Sequence, residues 1–138
     1  MTLVFEQLNK GWNAYPNGSE SIVARVGDTL TFRFELNPFA YEGVSKGDEA
    51  VLTFAGCTRW RLGVTNDQGW FEGQCRYSDV APRWGEFYEI IGDDPERNAP
   101  EDWQIIGADT SAGRHFLFYL RDETFECVAD DWRIAPLK

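Results

Sequence analysis

The stretch TLTFRFEL, residues 29–36, alternates strictly between polar and apolar side chains. Successive side chains of an extended strand point to opposite faces, so the apolar residues share one face and the polar residues share the other. The apolar face consists of Leu30, Phe32, Phe34 and Leu36. The pattern predicts a β-strand that is buried on one face and solvated on the other.

The same two-residue period recurs in short segments along the chain, and no longer window shows a helical stripe. At most one helical turn is expected, at 79–85 or at 99–103. Further strands are predicted at 21–26, 50–55, 57–64, 70–77, 86–91, 103–106, 114–121 and 124–129. We therefore expect a single all-β domain, residues 1–138, with at least seven short antiparallel strands. It should fold as a β-sandwich or as a closed or partly closed β-barrel.

Turn residues separate these strands. Residues 66–69 are predicted to form a hairpin loop that ends on a glycine with a positive φ angle. Gly27 and Asp28 link the first two predicted strands. A strict two-residue loop there would place Leu30 opposite Arg25, which mismatches the apolar face, so we expect a β-bulge.

The composition is that of an acidic globular protein. Hydrophobic residues make up 43% of the 138 residues and aromatic residues 15%, which excludes a disordered chain. The net charge is −10, and residues 70–138 carry −8 of it, from fifteen acidic and seven basic side chains. This balance argues against nucleic acid and against an anionic membrane as partners, because both require cationic surfaces.

The N-terminus and the cysteines favour a cytoplasmic protein. The first residues, MTLVFEQLNKGW, include no basic region and no apolar run of signal length. No segment approaches the roughly eighteen apolar residues of a membrane-spanning helix. Cys57, Cys75 and Cys127 are an odd number at wide spacing, which indicates reduced thiols. Cys57 and Cys127 are expected to be small buried core residues.

No metal or cofactor site stands out, and we expect no cofactor. Three cysteines and one histidine could bind zinc, but no two of them have the close spacing of paired zinc ligands. A blue-copper site needs two histidines, and this chain has one. The loop 92–102 carries acidic and amide oxygens that suit calcium, but it has no glycine at an EF-hand turn. Calcium binding and a solvated acidic loop both stay open.

Residue types of a hydrolase triad occur in Asp109, Ser111 and His115. No nucleophile-elbow sequence surrounds Ser111, and the chain has no glycine-rich phosphate loop. An enzyme that uses His115 is therefore a minor alternative.

Five aromatic residues fall in predicted loops, outside the core pattern: Trp12, Tyr15, Phe39, Tyr41 and Trp84. Exposed rings beside Asp, Asn and Arg are typical of surfaces that bind sugars or protein partners. Packing of each ring beneath its loop is the competing interpretation.

The hairpin of 114–121 and 124–129 carries the candidate ligand site. With a two-residue loop at Asp122 and Glu123, the numbers of opposed residues add up to about 245. One face is then apolar throughout, and the other face gathers His115, Tyr119, Glu126 and Asp130. In this register His115 lies opposite Asp130. A few polar groups on an apolar lining are typical of a ligand site held by rigid strands. Ordinary cross-strand pairs on a half-solvated face are the plainer interpretation.

These observations favour a non-catalytic domain that binds a small ligand or a protein partner. One alternative is an acidic inhibitor or immunity-type protein that masks a basic partner by charge complementarity. The oligomeric state and the identity of the ligand do not follow from the sequence.

Overall fold

The structure, a computed structural model, describes residues 4–15, 21–39, 42–63, 85–92, 103–107, 113–120 and 124–137, with the backbone alone for Tyr119. Every regular element in these ranges is a β-strand, as predicted. The strands are β1 Val4–Gln7, β2 Ile22–Val26, β3 Thr29–Glu35, β4 Glu49–Ala55, β5 Arg59–Gly63, β6 Phe87–Ile91, β7 Gln104–Ile105, β8 Arg114–Tyr119, β9 Thr124–Ala129 and β10 Asp131–Leu137. The predicted strand 70–77, the loop 66–69 and nearly all of 79–85 and 99–103 lie outside the described residues.

The strands form two antiparallel sheets packed face to face. The six-stranded sheet has the order β1-β6-β8-β9-β5-β7, and the four-stranded sheet has the order β10-β4-β3-β2. The fold is therefore a β-sandwich and not a closed barrel, which resolves the two architectures that the sequence left open.

The core between the sheets is built largely from phenylalanine. The ring centroids of Phe32 and Phe125, one from each sheet, are 4.5 Å apart, and those of Phe34 and Phe118 are 4.9 Å apart. These four rings are buried, as the alternation in β3 and the apolar face of the β8–β9 hairpin predicted. Fully buried aromatic side chains contribute large apolar areas, so the two sheets are held together mainly at this interface.

Two strands, β1 and β10, were not predicted from the sequence. β1 is short and mostly exposed, so its side chains show little alternation. β10 includes Pro136, which normally argues against a strand. The structure places β10 at an edge of the four-stranded sheet, the position in a sheet where proline is tolerated.

The opposite edge of that sheet is β2, which is joined to β3 by a strict two-residue loop. Val26 pairs with Thr29 and Arg25 with Leu30, so the expected bulge is wrong. Gly27 has a φ of 61°, as tight hairpin turns require. Pairing Arg25 with the buried Leu30 costs little folding free energy, because Arg25 is exposed on an edge strand and its charge stays in solvent.

The register of the β8–β9 hairpin also differs from the prediction. His115 pairs with Val128 and Leu117 with Glu126. The residue numbers of each pair therefore add up to two less than the predicted register requires. The strands end at Tyr119 and resume at Thr124, which leaves a longer loop than the two residues assumed. A shift of two preserves which face each side chain occupies, so the apolar face is in the core as predicted.

Two short crossings join the sheets at one corner of the sandwich. Residues 56–58 lead from β4 to β5, and Asp130 alone leads from β9 to β10. Gly56 has a φ of 65°, and a Cβ atom added there would lie 2.2 Å from a carboxylate oxygen of Asp130. A glycine is therefore needed where the two crossings touch.

Candidate functional site

The β8–β9 hairpin brings together two of the four predicted site residues, His115 and Glu126. They occupy the face of the six-stranded sheet that points away from the core. His115 Nε2 and Glu126 Oε1 are 2.8 Å apart. The two side chains are diagonal neighbours, since His115 pairs with Val128 and not with Asp130.

Arg61, on the neighbouring strand β5, completes this group. It pairs with Glu126 across the β5–β9 ladder, and its Nε donates to Glu126 Oε2 at 2.8 Å. Its guanidinium lies 4.3 Å from the ring centroid of Trp103, and the ring of Trp103 is 6.0 Å from that of His115. The tryptophan therefore covers the ion pair and shields it from water. We call His115, Glu126, Arg61 and Trp103 the outer-face cluster.

The outer-face cluster is buried. The exposed fractions of the side chains are 2% for His115, 6% for Glu126 and 11% for Arg61. A carboxylate beside an imidazole is also the arrangement that orients a catalytic histidine, but a general base must come within hydrogen-bonding distance of its substrate. The described geometry instead fits a buried ion-pair network that ties three strands together.

The other two predicted site residues do not join this cluster. Asp130 lies exposed in the β9–β10 crossing, beside Gly56. The backbone of Tyr119 pairs with Thr124, and its side chain is outside the described residues. The structure therefore corrects the predicted opposition of His115 and Asp130. That these four residues bind a ligand stays a prediction.

A second buried carboxylate, Glu86, was missed in the sequence. Three amide side chains donate to it: Gln7 Nε2 at 2.9 Å, Asn13 Nδ2 at 2.9 Å, and Asn9 Nδ2. Asn9 also accepts from the backbone N–H of Phe87 at 3.0 Å. Glu86 is 5% exposed and Asn9 is 3% exposed. Charge-assisted hydrogen bonds of this kind offset the cost of burying the carboxylate.

The Glu86 group, formed by Glu86, Gln7, Asn9 and Asn13, fixes residues 8–15, which follow β1, across one end of the sandwich. Ala14 bridges to Leu36, which follows β3, and donates to the carbonyl of Gly85, which precedes β6. Tyr15 donates to the carbonyl of Glu35 at 3.0 Å. The segment therefore contacts both sheets, and Trp12 is held in one position between them.

Trp12 packs on the core with one side of its ring and lines a surface cleft. Its ring centroid lies 5.6 Å from that of Phe34 and 6.1 Å from that of Phe118. The cleft has a volume of about 310 Å³. The described residues that line it are mainly apolar: Gly11, Trp12, Leu36, Gly43, Val44, Asp48, Glu49, Ala50, Ile134, Pro136 and Leu137. We call it the Trp12 cleft.

The other loop aromatics behave differently. Phe39 is 80% exposed and its ring lies 5.8 Å from that of Tyr15. Tyr41 and Trp84 are outside the described residues. The sequence drew attention to Trp12 as a ring in a loop. It did not place the ring in a cleft, because the cleft is formed by residues from four separate parts of the chain.

A second cavity, of about 530 Å³, lies at the corner where the two crossings meet. Its described lining is more polar: Arg25, Gly27, Asp28, Gly56, Cys57, Thr58, Ile106, Gly107 and Asp130. Cys57 and Cys127 are both buried, as predicted, and both are free thiols. We call this the corner cavity.

The remaining expectations concern metals and loops. Among the described residues, no three side chains of His, Cys, Asp or Glu are grouped as metal ligands would be. The calcium hypothesis for the loop 92–102 lies outside the described residues except at Gly92, and so do Asp109, Ser111 and Cys75. No described segment forms a helix that is long and apolar enough to cross a bilayer.

Comparison with known proteins adds no relative: no protein-family model, no curated protein and no solved structure matches this chain significantly.

Proposed function

We propose that this chain is a non-catalytic binding domain and that its ligand occupies the Trp12 cleft. The observation that carries the proposal is an apolar cleft of about 310 Å³ whose tryptophan is held in place by a buried hydrogen-bond group. Ligand sites are typically concave, mainly apolar and formed before the ligand arrives. A ring that is fixed in this way loses little side-chain entropy when a ligand packs on it.

The lining restricts the class of ligand. Trp12, Val44 and Ile134 offer apolar contacts, so the cleft suits a small ring system or an aliphatic chain. The carboxylate of Glu49 is already paired with Arg33 at 2.7 Å, whereas that of Asp48 accepts only a backbone N–H in the described structure. A neutral or cationic ligand is therefore favoured over an anionic one.

The burial of the outer-face cluster supports a binding domain over an enzyme that uses His115. The masking of a basic partner remains the alternative, and it depends on the acidic half of the chain. Masking should weaken steeply with added salt, whereas binding in an apolar cleft should not. A cytoplasmic location is part of this proposal and is supported by the odd number of cysteines.

The neutral dye N-phenyl-1-naphthylamine tests the cleft, because its fluorescence rises when it enters an apolar site. We expect saturable binding to the native protein and quenching of tryptophan emission. Val44→Trp fills the cleft from a loop and should weaken dye binding at least about tenfold, which corresponds to about 1.4 kcal/mol. Val26→Trp is the matched control, since Val26 is 83% exposed and is not among the residues lining the cleft.

Equal dye binding by Val44→Trp, Val26→Trp and the unaltered protein would contradict the proposal. Dye binding that only the unfolded protein shows would contradict it as well.

A further inference from the structure

Two cysteines from distant parts of the sequence lie against each other at the corner of the sandwich. Cys57 follows Gly56 in the first crossing, and Cys127 lies in the middle of β9. The exposed fractions are 1% and 0%, both side chains belong to the same buried core cluster, and Cys57 Sγ donates to the carbonyl of Arg59 at 3.4 Å. The backbone N–H of Thr58 donates to the carbonyl of Val128 at 2.9 Å and holds the two segments together.

The surroundings of the two thiols differ. Cys57 lines the corner cavity, together with the charged residues Arg25, Asp28 and Asp130. Cys127 points into the core, opposite Trp60 and Phe116 in the β-ladders. Cys57 is therefore the one of the two cysteines that borders the corner cavity, with 1% of the residue exposed, whereas Cys127 is fully buried in the core.

The two thiols also differ in how readily they lose a proton. The hydrogen bond from Cys127 lowers the pKa of Cys57, against the opposing effect of burial. Burial raises the pKa of Cys127 well above its usual value, and the hydrogen bond to Cys57 adds to this. Cys57 is therefore the thiol that ionises more readily, and the thiolate is the form that reacts with oxidants.

We propose that Cys57 and Cys127 are a redox modification site that forms a reversible disulfide, with hydrogen peroxide as the oxidant and Cys57 as the sulfur that reacts first. This proposal is independent of the Trp12 cleft.

The reaction has two steps. The Cys57 thiolate attacks one oxygen of the peroxide, the O–O bond breaks, and the departing oxygen takes up a proton and leaves as water. Cys57 is then a sulfenic acid. The Cys127 sulfur attacks the Cys57 sulfur, the S–S bond forms, the S–O bond breaks, and the hydroxyl leaves as water with the proton of Cys127. Two thiols are oxidised by two electrons, and one peroxide is reduced to two waters.

The disulfide would connect the first crossing to the centre of β9 and close a long loop, residues 57–127. Because cross-linking distant residues reduces the conformational entropy of the unfolded chain, the oxidised protein should be the more stable form. We expect its Tm to rise by on the order of 10 °C.

The test is peptide mapping by mass spectrometry of the full chain after treatment with hydrogen peroxide. Remaining thiols are alkylated in denaturant, and the protein is digested without a reductant. We expect a cross-linked pair of peptides containing Cys57 and Cys127, two hydrogens lighter than the separate peptides and separable by dithiothreitol. Cys75→Ser is the matched control and should give the same cross-link.

Single variants test the order of the steps. Cys127→Ala should leave a Cys57 sulfenic acid that dimedone traps, and Cys57→Ala should leave Cys127 as a thiol. The inference is overturned if both thiols of the folded wild-type protein survive peroxide that oxidises free cysteine. A main cross-link through Cys75, or oxidation of Cys127 at the wild-type rate in Cys57→Ala, would overturn it as well. The map of the wild-type protein decides the question even if a variant does not fold.

Discussion

At the scale of single residues, burial acts strongly on the ionisation of the Cys127 thiol. The unfolded chain loses this proton near the ordinary cysteine pKa of about 8.5. The folded protein keeps it, because burial raises the pKa of Cys127 well above that value. Above the ordinary pKa the folded state therefore binds one proton more than the unfolded state, and the free energy of unfolding falls as the pH rises.

This difference gives a prediction for reduced protein between about pH 9 and pH 10.5. The free energy of unfolding should fall by up to about 1.4 kcal/mol per pH unit more steeply in Cys57→Ala than in the double variant Cys57→Ala/Cys127→Ala, because neither of them carries the Cys57 thiol whose ionisation Cys127 alters. Urea denaturation at several pH values in this range measures the difference, and titration of lysine and tyrosine cancels between the two proteins. Equal slopes would show that Cys127 ionises as easily in the folded state as in the unfolded one.

At the scale of elements, the outer-face cluster joins β5, β8 and β9 through one carboxylate. Glu126→Ala should destabilise the protein by about 3–5 kcal/mol, because it leaves Arg61 and His115 buried without this partner. Glu49→Ala is the matched control, since it breaks an ion pair with Arg33 on the exposed face of the other sheet. Its effect should be small and should shrink with added salt.

Urea denaturation of both variants measures the two effects. If Glu126→Ala were no more destabilising than Glu49→Ala, the outer-face cluster would have no structural role.

The elements also show what the sequence could predict. The alternation in β3 and β9 placed Phe32, Phe34 and Phe125 in the core correctly, because the two-residue period depends only on local geometry. The register of β8 and β9 depends on the length of their loop, which the sequence does not fix. The mistake moved His115 away from Asp130 but left the described side chains of the hairpin on their predicted faces.

At the scale of the whole molecule, the two ends of the sandwich are closed differently. Short crossings close one end, at residues 56–58 and Asp130. Residues 8–15, at the start of the connection from β1 to β2, close the other end, beside the Trp12 cleft, through the hydrogen bonds of Ala14 and Tyr15. The long connection constrains the sheets less than the short ones do, so local opening should start at the cleft.

Amide hydrogen exchange measures this difference in protection. The amides of Ala14 and Tyr15 should exchange faster than those of Thr58 and Asp130, although all four donate to backbone carbonyls at 2.9–3.0 Å. Each amide is compared with its own intrinsic rate for an unstructured peptide. Equal protection at the two ends would mean that the sandwich opens only by global unfolding.

Features that depend on the whole molecule were the hardest to predict. The partners in the Glu86 group and the lining of the Trp12 cleft come from segments far apart in sequence, and no spacing connects them. The contact between Cys57 and Cys127 is of the same kind. Each cysteine was predicted to be buried from its own strand, and their proximity follows from the way two strands cross between sheets at one corner.

The two edges of the four-stranded sheet have unequal consequences for self-association. β10 carries Pro136, which has no N–H to donate, together with the charged side chains of Asp131 and Arg133. β2 is a regular strand with exposed Ile22 and Val26 and a single charge, on Arg25. Proline and charge on an edge discourage the addition of another strand. A second copy could therefore extend this sheet at β2 but not at β10, and such growth would end at a dimer instead of continuing into a fibril.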